Sequence, residues 1–192
     1  IKMVKVIKTP IPGLLVVKLQ VHHDSRGFFK ENFNLRNFIL AAEDKLTSDE
    51  DSRWLDVVRN FEVVQNNISF SDEGVIRGMH AEPWEKFISV GNGKVYGAWV
   101  DLREENFGTV FQTEIDSSTA IFVPRGVANG FQSVKDATYT YLVNDYWSKE
   151  LKKEYKFVNL ADPELKIKWP LGIDEKLLSD DDKNHPFLSD YI

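Results

Sequence analysis

The amino-acid sequence predicts an all-β protein of the sandwich, jelly-roll or barrel type, with few and short helices. Short runs rich in β-branched and aromatic residues recur along the 192 residues, and turn residues separate them. Clear helical periodicity is found in a single segment. The length suits one domain with a sizeable core, so we expect residues 1–192 to form a single domain with an N-terminal strand extension and a short helical tail.

The strands are predicted from apolar runs that are bounded by turn residues. They are residues 14–21, 61–70, 86–91, 94–102, 111–115, 119–123, 130–134 and 137–143. Gly91-Asn92-Gly93 predicts a hairpin, because Asn-Gly favours tight β-turns, and Lys135-Asp136 predicts a second turn. Tyr139 and Tyr141 fall on one face of the last strand, since successive side chains alternate. Residues 14–21 are either an ordinary strand of the sheet or an edge strand that pairs with another subunit.

Helical segments are few. Residues 34–44 place four apolar residues at helical spacing behind Asn34, whose side chain can cap the helix. Residues 47–52 are polar and are predicted to form a loop. The acidic segment 177–190 is predicted to hold one short helix.

Charge and composition exclude several classes of protein. The chain has 30 acidic and 24 basic residues, a net charge of −6, which argues against a general nucleic-acid binder. The absence of cysteine excludes disulfides, thiolate zinc sites, iron–sulfur clusters and cysteine nucleophiles. No apolar run approaches the ~20 residues that span a bilayer. Residues 1–13 lack the apolar core of a signal peptide, so we expect a cytoplasmic location.

Four segments carry polar side chains beside turn residues. They are residues 24–31, residues 65–67, residues 77–80 together with Lys86, and residues 124–131. An isolated segment of this kind is usually a turn with a solvated charge. Composition alone therefore assigns these segments no function.

Six blocks of sequence resemble, in content and order, the dTDP-4-dehydrorhamnose 3,5-epimerase family. The blocks are SRGFFKENF, VQNNISFS, VIRGMHAEPWEK, VDLREENFGT, IFVPRGVANGFQ and YLVNDYW. The resemblance extends from residue 9 to residue 170 and more weakly to residue 186. It implies a cupin jelly roll, a homodimer, and epimerisation of dTDP-4-dehydro-6-deoxy-D-glucose at C3 and C5 to dTDP-4-dehydro-L-rhamnose. Such proton transfer beside a ketone moves no electrons, so no redox cofactor is expected.

The resemblance implies that His80 is the general base. A neutral imidazole suits this role, because its ordinary pKa of ~6.5 lies near the operating pH. The family orients this histidine with an aspartate from the C-terminal segment, and Asp182 matches that position. Asp180 and Asp181 adjoin it, and the alignment leaves the choice among the three open.

The resemblance assigns two further catalytic roles. Lys86 matches the lysine that faces the developing enolate oxygen, where a cation stabilises the charge. Tyr141 matches the proton donor on the opposite side of the sugar from the base. Tyr139 lies on the same face of the predicted strand and is the alternative donor.

Eight residues match positions that hold the nucleotide sugar. They are Arg26, Phe28, Glu31, Gln65, Asn67, Arg77, Asn129 and Tyr146. Guanidinium groups suit diphosphate oxygens, and Phe28 and Tyr146, or the adjacent Trp147, are candidates for stacking on thymine. The family passes an N-terminal segment across its dimer interface, so Arg26 or Phe28 can serve the neighbouring pocket. Most members have histidine at the position of Asn129, and we interpret this as a changed binding contact.

A metal cofactor is not expected. Metal-binding cupins need a His-x-His pair, a carboxylate and a later histidine around the ion. Here Ala81 and Glu82 follow His80, and Asn129 stands where a later histidine would be. His22 and His23 are adjacent, so their side chains point to opposite faces of a strand.

Two alternative functions stay open. One is a mono-epimerase that acts only at C3 or only at C5 of a related dTDP-4-ketosugar. The other is a cupin that binds sugars or nucleotides without catalysis, since a fold does not fix a function. A binding module has no need for His80, Lys86 and Tyr141 to converge, so their placement distinguishes it from an enzyme.

Overall fold

Two long antiparallel strands organise the fold, which the computed structural model describes for residues 4–192. These are β7 (Lys86–Asp101) and β10 (Val127–Val143), which pair along most of their length. The other strands are β1 (Val4–Lys8), β2 (Leu15–Leu19), β3 (Val21–Asp24), β4 (Gly27–Lys30), β5 (Gln65–Ser71), β6 (Ile76–Ala81), β8 (Val110–Ile115), β9 (Thr119–Val123) and β11 (Lys156–Phe157). The α-helices are α1 (Leu35–Lys45), α2 (Ser52–Arg59) and α3 (Asp180–Lys183). Residues 1–3, part of the segment considered above for a signal peptide, lie outside the described residues.

Both long strands take part in both halves of a β-sandwich. The first half has the strand order β1-β2-β9-β7-β10-β5 and uses the beginning of β7 and the end of β10. The second half has the order β8-β7-β10-β6-β11 and uses the end of β7 and the beginning of β10. The predicted all-β jelly-roll sandwich with few short helices is confirmed.

Apolar side chains fill three layers of this sandwich. The central cluster joins Ile88 from the beginning of β7 to Trp99 from its end, and so it lies between the two halves. A second cluster packs Phe38 of α1 against β1, β2 and β9. A third packs the C-terminal segment, including Leu160 and Leu188, against β6 and the second half. The C-terminal segment is thereby fixed next to β6.

Both predicted turns within the long strands are wrong. β7 continues through Gly91-Asn92-Gly93, and β10 continues through Lys135-Asp136. Where these stretches face each other the pairing register shifts, and Gly93 adopts a φ of +87°. The residues of β7 before and after Gly91-Asn92-Gly93 both pair with β10. The turn-like residues therefore form bulges that bend the strands and do not reverse the chain.

The remaining predicted strands are confirmed with shifted ends. Residues 119–123 coincide with β9, and residues 111–115 lie within β8. Residues 14–21 correspond mainly to β2, which pairs with β1 and β9 of the same chain and is thus an ordinary strand of the sheet. The strand predicted from residue 61 begins only at Gln65, because Phe61 is buried in the cluster beneath the helices.

The helix predicted for residues 34–44 is confirmed as α1. Asn34 Oδ1 accepts a hydrogen bond from the backbone N–H of Asn37 at 3.1 Å, which is the predicted cap. The short helix expected within residues 177–190 is α3, flanked by 3-10 turns. Among the helices of residues 4–192, none combines the length and apolar character needed to cross a bilayer.

The loop predicted for residues 47–52 is wrong. A 3-10 turn at Asp49–Asp51 leads directly into α2. Asp51 accepts hydrogen bonds from the backbone N–H and the hydroxyl of Ser48, and it pairs with Lys8 Nζ at 2.7 Å. This ion pair joins positions 43 residues apart, so local patterning does not reveal it.

A small hairpin, β3–β4, stands apart from the main sheet. At its base Lys30 Nζ donates hydrogen bonds to the backbone carbonyls of Val90 at 2.8 Å and Ser117 at 3.0 Å. Burial lowers the pKa of Lys30 to about 8. The hairpin is tethered at this end, whereas Phe28 and Phe29 near its turn remain exposed, at 42% and 71%.

Candidate active site

A cavity of about 210 Å³ lies where β5, β6, β7 and β10 come together. It is lined by polar and aromatic residues together with two glycines: Ser69, Arg77, Gly78, His80, Glu82, Lys86, Asn129, Gly130, Phe131, Tyr139 and Tyr141. Five of these were singled out in the sequence as catalytic or binding residues. The structure therefore brings His80, Lys86 and Tyr141 to a single cavity, as expected for an enzyme rather than a binding module.

Strand pairing sets the positions of these three residues. β6 carries His80 opposite Asn129 in the beginning of β10. β10 then continues to Tyr141, which pairs with Asn67 of β5 and with Ile88 of β7. Lys86 is the first residue of β7. Three different strands thus present an imidazole, an ammonium and a phenol to the same space.

The ring of His80 is held by the C-terminal segment. Its Nε2 lies 3.0 Å from Oδ1 of Asp182, the buried residue of the three neighbouring aspartates, whereas Asp180 and Asp181 are exposed. Burial opposes ionisation of Asp182, but hydrogen bonds from His80 and Ser179 outweigh it and keep its pKa below the ordinary value. A carboxylate can only accept, so Nε2 carries the hydrogen and Nδ1 of a neutral His80 has the free lone pair.

Lys86 is buried beside a carboxylate that sequence analysis did not assign to the site. Its Nζ forms an ion pair with Glu82 Oε1, and the two side chains are only 6% and 10% exposed. Glu82 Oε2 also accepts a hydrogen bond from Asn129 Nδ2 at 3.2 Å, and Asn129 Nδ2 donates to the carbonyl of His80 at 2.7 Å. Local sequence gives no signal for this pair, because i, i+4 spacing brings side chains together on a helix and residues 82–85 are not helical.

The two candidate tyrosines differ in exposure. Tyr139 is 4% exposed and stacks on Phe131, with ring centroids 4.1 Å apart. Tyr141 is half-buried, and its ring centroid lies 5.3 Å from Lys86 Nζ. Burial and the Glu82 carboxylate raise the pKa of Tyr141 above its ordinary value, so the phenol keeps its proton at neutral pH. Tyr141 is the better placed of the two to meet a ligand.

Two of the expected binding residues lie on the inward face of β5. Gln65, Asn67 and the cavity residue Ser69 alternate with exposed neighbours along this strand. Gln65 Nε2 donates to Asn67 Oδ1 at 2.9 Å, so the amides are fixed relative to each other. Arg77, on β6, donates to the hydroxyl of Ser71 at 3.0 Å.

The structure leaves six of the eight expected binding residues outside the cavity lining of their own chain: Gln65 and Asn67, which share β5 with the lining residue Ser69, and four others, Arg26, Phe28, Glu31 and Tyr146. Arg26 pairs with Asp24 at 2.6 Å on the exposed hairpin, and Phe28 is also on that hairpin. Glu31 accepts a hydrogen bond from Asn37 Nδ2 at 3.0 Å. Tyr146 is 64% exposed. Within one chain, none of these four contributes to the cavity lining.

A second cavity, of about 620 Å³, adjoins the first and shares His80 and Arg77 with it. The C-terminal segment supplies much of its lining, including Asp182 and His185. One possible ligand atom from each of His80, Asp182 and His185 lies within 4.8 Å of the others. Sequence analysis did not single out His185, because 104 residues separate it from His80 and nothing in its local sequence marks it.

Comparison with known proteins agrees with this geometry. The family model described as dTDP-4-dehydrorhamnose 3,5-epimerase matches residues 8–190. An RmlC homolog from Streptococcus pyogenes is 51% identical over 183 residues, which cover 94% of this chain and 87% of the relative. The dTDP-4-dehydrorhamnose 3,5-epimerase of Shigella flexneri is 33% identical over 188 residues, 93% of each chain.

A solved structure shares the fold along almost the whole chain. RmlC from Streptococcus suis, determined in complex with dTDP-D-xylose, superposes with a TM-score of 0.82 and 48% identity, covering 98% of this chain and 93% of that one. The jelly-roll fold and the cavity with its imidazole, ammonium and phenol define an isomerase of the epimerase class. The chain belongs to the dTDP-4-dehydrorhamnose 3,5-epimerase family.

Proposed function

We propose that this chain epimerises dTDP-4-dehydro-6-deoxy-D-glucose at C3 and C5 to give dTDP-4-dehydro-L-rhamnose, a step of dTDP-L-rhamnose synthesis. The observation that carries the proposal is the convergence of His80, Lys86 and Tyr141 on one cavity. These groups supply a base, a cation for the developing oxyanion, and an acid, which is the set that proton transfer beside a ketone requires. We also propose a cytoplasmic location, the expectation drawn from the sequence.

The proposed reaction begins at His80. Nδ1 takes the proton from the carbon next to the C4 ketone, and the Asp182 carboxylate stabilises the resulting imidazolium through Nε2. The electron pair of the C–H bond moves into the ring and places negative charge on the ketone oxygen. Lys86 stabilises this oxyanion. Tyr141 delivers a proton to the opposite side of the carbon, and exchange with solvent restores both groups before the second carbon reacts.

Glu82 has a place in this proposal as the counterion of Lys86. A buried ammonium without a partner is costly, and the carboxylate offsets that cost before substrate arrives. The ketone oxygen then competes with Glu82 for Lys86 as negative charge grows on it. Most family members have histidine at the position of Asn129. In our proposal Asn129 donates a hydrogen bond to the second carboxylate oxygen of Glu82 and so fixes the position of that carboxylate.

We propose that nucleotide binding uses both subunits of a homodimer. Arg77, Gln65 and Asn67 of one chain lie beside the cavity, whereas Arg26, Phe28, Glu31 and Tyr146 do not. The hairpin with its exposed Phe29, and the outward face of β5 with Ile68 and Phe70 exposed at 69% and 60%, are suitable apolar contact surfaces. A two-fold arrangement would carry each hairpin to the cavity of the partner subunit.

Isotope exchange tests the proposed reaction. We expect that turnover in heavy water introduces deuterium at both C3 and C5 of the sugar, because each carbon gives its proton to the enzyme and receives another from solvent. Label at one carbon alone would identify a mono-epimerase. Binding of dTDP-sugar without label at either carbon would contradict catalysis and identify a binding module.

A further inference from the structure

Two imidazoles and a carboxylate meet at the second cavity, which shares His80 and Arg77 with the proposed substrate cavity. His80 Nε2 lies 3.0 Å from Asp182 Oδ1, and His185 Nε2 lies 3.9 Å from the same oxygen. Ligand atoms that bind one zinc ion at about 2.0–2.1 Å in tetrahedral geometry lie roughly 3.3 Å apart. The two separations from Asp182 bracket this value, and the ligand atoms of the two imidazoles lie within 4.8 Å of each other, so the imidazoles would have to rotate towards a shared ion to complete a three-ligand site.

The donor set selects a class of cation. Imidazole nitrogen together with carboxylate oxygen suits Zn²⁺ and neighbouring first-row divalent ions, whereas Ca²⁺ and Mg²⁺ prefer sites made of oxygen. Three protein ligands leave a fourth position for water. The cavity of about 620 Å³ opens onto the cluster, and the exposed carboxylates of Asp180 and Asp181 at its edge favour the approach of a cation.

His185 lines the second cavity with an imidazole that is buried and available as a ligand. Its side chain is only 8% exposed, and within residues 4–192 its buried Nδ1 has no hydrogen-bond partner. Its Nε2 is too far from Asp182 for a hydrogen bond. A cation would take Nε2 as its ligand atom and leave the ring hydrogen on Nδ1, so it would use an imidazole to which no side chain of the described residues hydrogen-bonds, although Nδ1 itself would gain no partner. The backbone around it is fixed, since Asn159 Nδ2 donates to the carbonyl of His185 at 3.1 Å.

We infer that His80, Asp182 and His185 form a site for Zn²⁺ or a chemically similar divalent ion, and that occupation of this site inhibits the epimerase. The inhibition rests on the proposed role of His80 as the base. An ion on Nε2 displaces the hydrogen that Asp182 accepts. The ring stays neutral by carrying its proton on Nδ1 instead, and Nδ1 is the nitrogen proposed to accept the proton of the substrate. The metal therefore removes the base without entering the substrate cavity.

Direct binding is measured first with Co²⁺, whose visible absorption reports tetrahedral coordination. We expect one Co²⁺ per chain in the wild-type protein, displaced by Zn²⁺. His185→Phe removes one ligand and should weaken binding by at least about tenfold. The matched control is the double variant His22→Gln, His23→Gln, which changes the other two histidines of the chain and should bind like wild type. Absence of the band, or equal binding by His185→Phe, would overturn the site.

Activity with and without Zn²⁺ is then compared within each variant. Wild type and the His22/His23 variant should lose kcat on addition of Zn²⁺, with little change in KM, and recover with EDTA, whereas His185→Phe should keep its activity. His185→Asn, a smaller replacement, is the second variant if His185→Phe does not fold. If Zn²⁺ inhibits both His185 variants as strongly as it inhibits wild type, the inhibition is due to adventitious ions. Binding of Co²⁺ without inhibition by Zn²⁺ would contradict the regulatory role. Metal-free turnover tests the proposed function separately.

Discussion

At the scale of single residues, each reactive group in the cavity is in contact with, or in the field of, a charged neighbour. Asp182 fixes which nitrogen of His80 carries the hydrogen, and Glu82 neutralises Lys86. The same Glu82 charge, together with burial, raises the pKa of Tyr141 and so keeps the phenol protonated. These five side chains are therefore expected to respond to mutation as coupled groups rather than independently.

Replacement of His80 by alanine is the most direct test of the base. We expect His80→Ala to lower kcat by about 10²- to 10⁴-fold, the usual contribution of a general base. Binding of dTDP, measured by calorimetry, should be retained, because the imidazole acts on the sugar. A variant with kcat close to that of wild type would show that another group takes the proton.

Lys86→Ala removes the cation proposed to stabilise the oxyanion. We expect kcat to fall by about 10²–10³-fold with a smaller change in KM, because the charge it stabilises develops only in the transition state. Lys94→Ala is the control, since Lys94 lies on the same strand and pairs with Glu114 at 3.1 Å on the surface. An increase in KM alone would indicate a binding role instead.

Glu82→Gln tests the electrostatic link to Tyr141. Loss of the negative charge should lower the pKa of Tyr141, because the carboxylate disfavours the phenolate. The phenol then loses its proton at lower pH, so the basic limb of the kcat profile should move to lower pH. Glu85→Gln, a change in the same segment that leaves the Glu82 charge in place, should leave that limb where it is. An unchanged basic limb in Glu82→Gln would contradict the coupling.

The resemblance was sufficient to predict part of the cavity lining, but not all of it. His80, Lys86, Tyr141, Arg77 and Asn129 could be located from short motifs, because each motif lies on or beside a strand that reaches the cavity. Glu82 and His185 were missed for a physical reason: their contacts depend on the path of residues 81–85 and of the C-terminal segment. Proximity of this kind comes from tertiary packing and leaves no local pattern.

At the scale of secondary-structure elements, strand pairing determines the width of the cavity. β6 and β10 approach closely because Gly78 faces Gly130 without side chains between them. Alternation and turn residues were enough to predict β2, β5, β8 and β9, the last to the residue, but not β6, which carries Arg77 and His80. They could not predict that β7 and β10 continue through turn-like residues, because the partner strand, rather than the local sequence, decides whether the chain turns or bends.

Gly78→Ala tests the close approach of β6 to β10. A Cβ at this position would lie 2.7 Å from the Gly130 Cα and 2.8 Å from the Asn129 carbonyl oxygen, and φ is +117°. The strained backbone alone costs about 1–3 kcal/mol, and we expect the clash to add to this loss of unfolding free energy in denaturant titrations. Gly172→Ala is the control, since its φ of +69° is also positive but nothing lies within 4 Å. Equal losses in the two variants would contradict the role of the contact.

At the scale of the whole molecule, the question is how the hairpin residues reach a substrate. In one chain the hairpin carries Arg26 and Phe28 away from the cavity, although the resemblance assigns both to nucleotide binding. A homodimer that exchanges hairpins reconciles these observations. Only the resemblance to the family predicted this exchange, because the pattern of residues in one chain does not indicate which subunit's cavity a side chain enters.

Mixing two inactive variants tests the exchange. We expect Arg26→Ala and His80→Ala each to be inactive or nearly so alone. If each hairpin serves the partner subunit, a mixed dimer has one site with both Arg26 and His80 intact. Unfolding and refolding an equimolar mixture should then restore about a quarter of the wild-type activity, because half of the dimers are mixed and half of their sites are complete. No recovery would indicate that the hairpin serves its own chain or that dimers do not form.

The sharing of β7 and β10 between the two halves of the sandwich has a consequence for heat resistance. Neither half can open while the other keeps its native strands, because each long strand contributes backbone hydrogen bonds to both. The walls of the cavity come from these two strands and from β5 and β6, which both pair with β10. We therefore expect no intermediate on warming in which the cavity has opened but the rest of the sandwich persists. The loss of activity and the unfolding of the protein should therefore show the same dependence on temperature. A substitution in β7 or β10 that raises the melting temperature should raise the temperature of inactivation by the same amount.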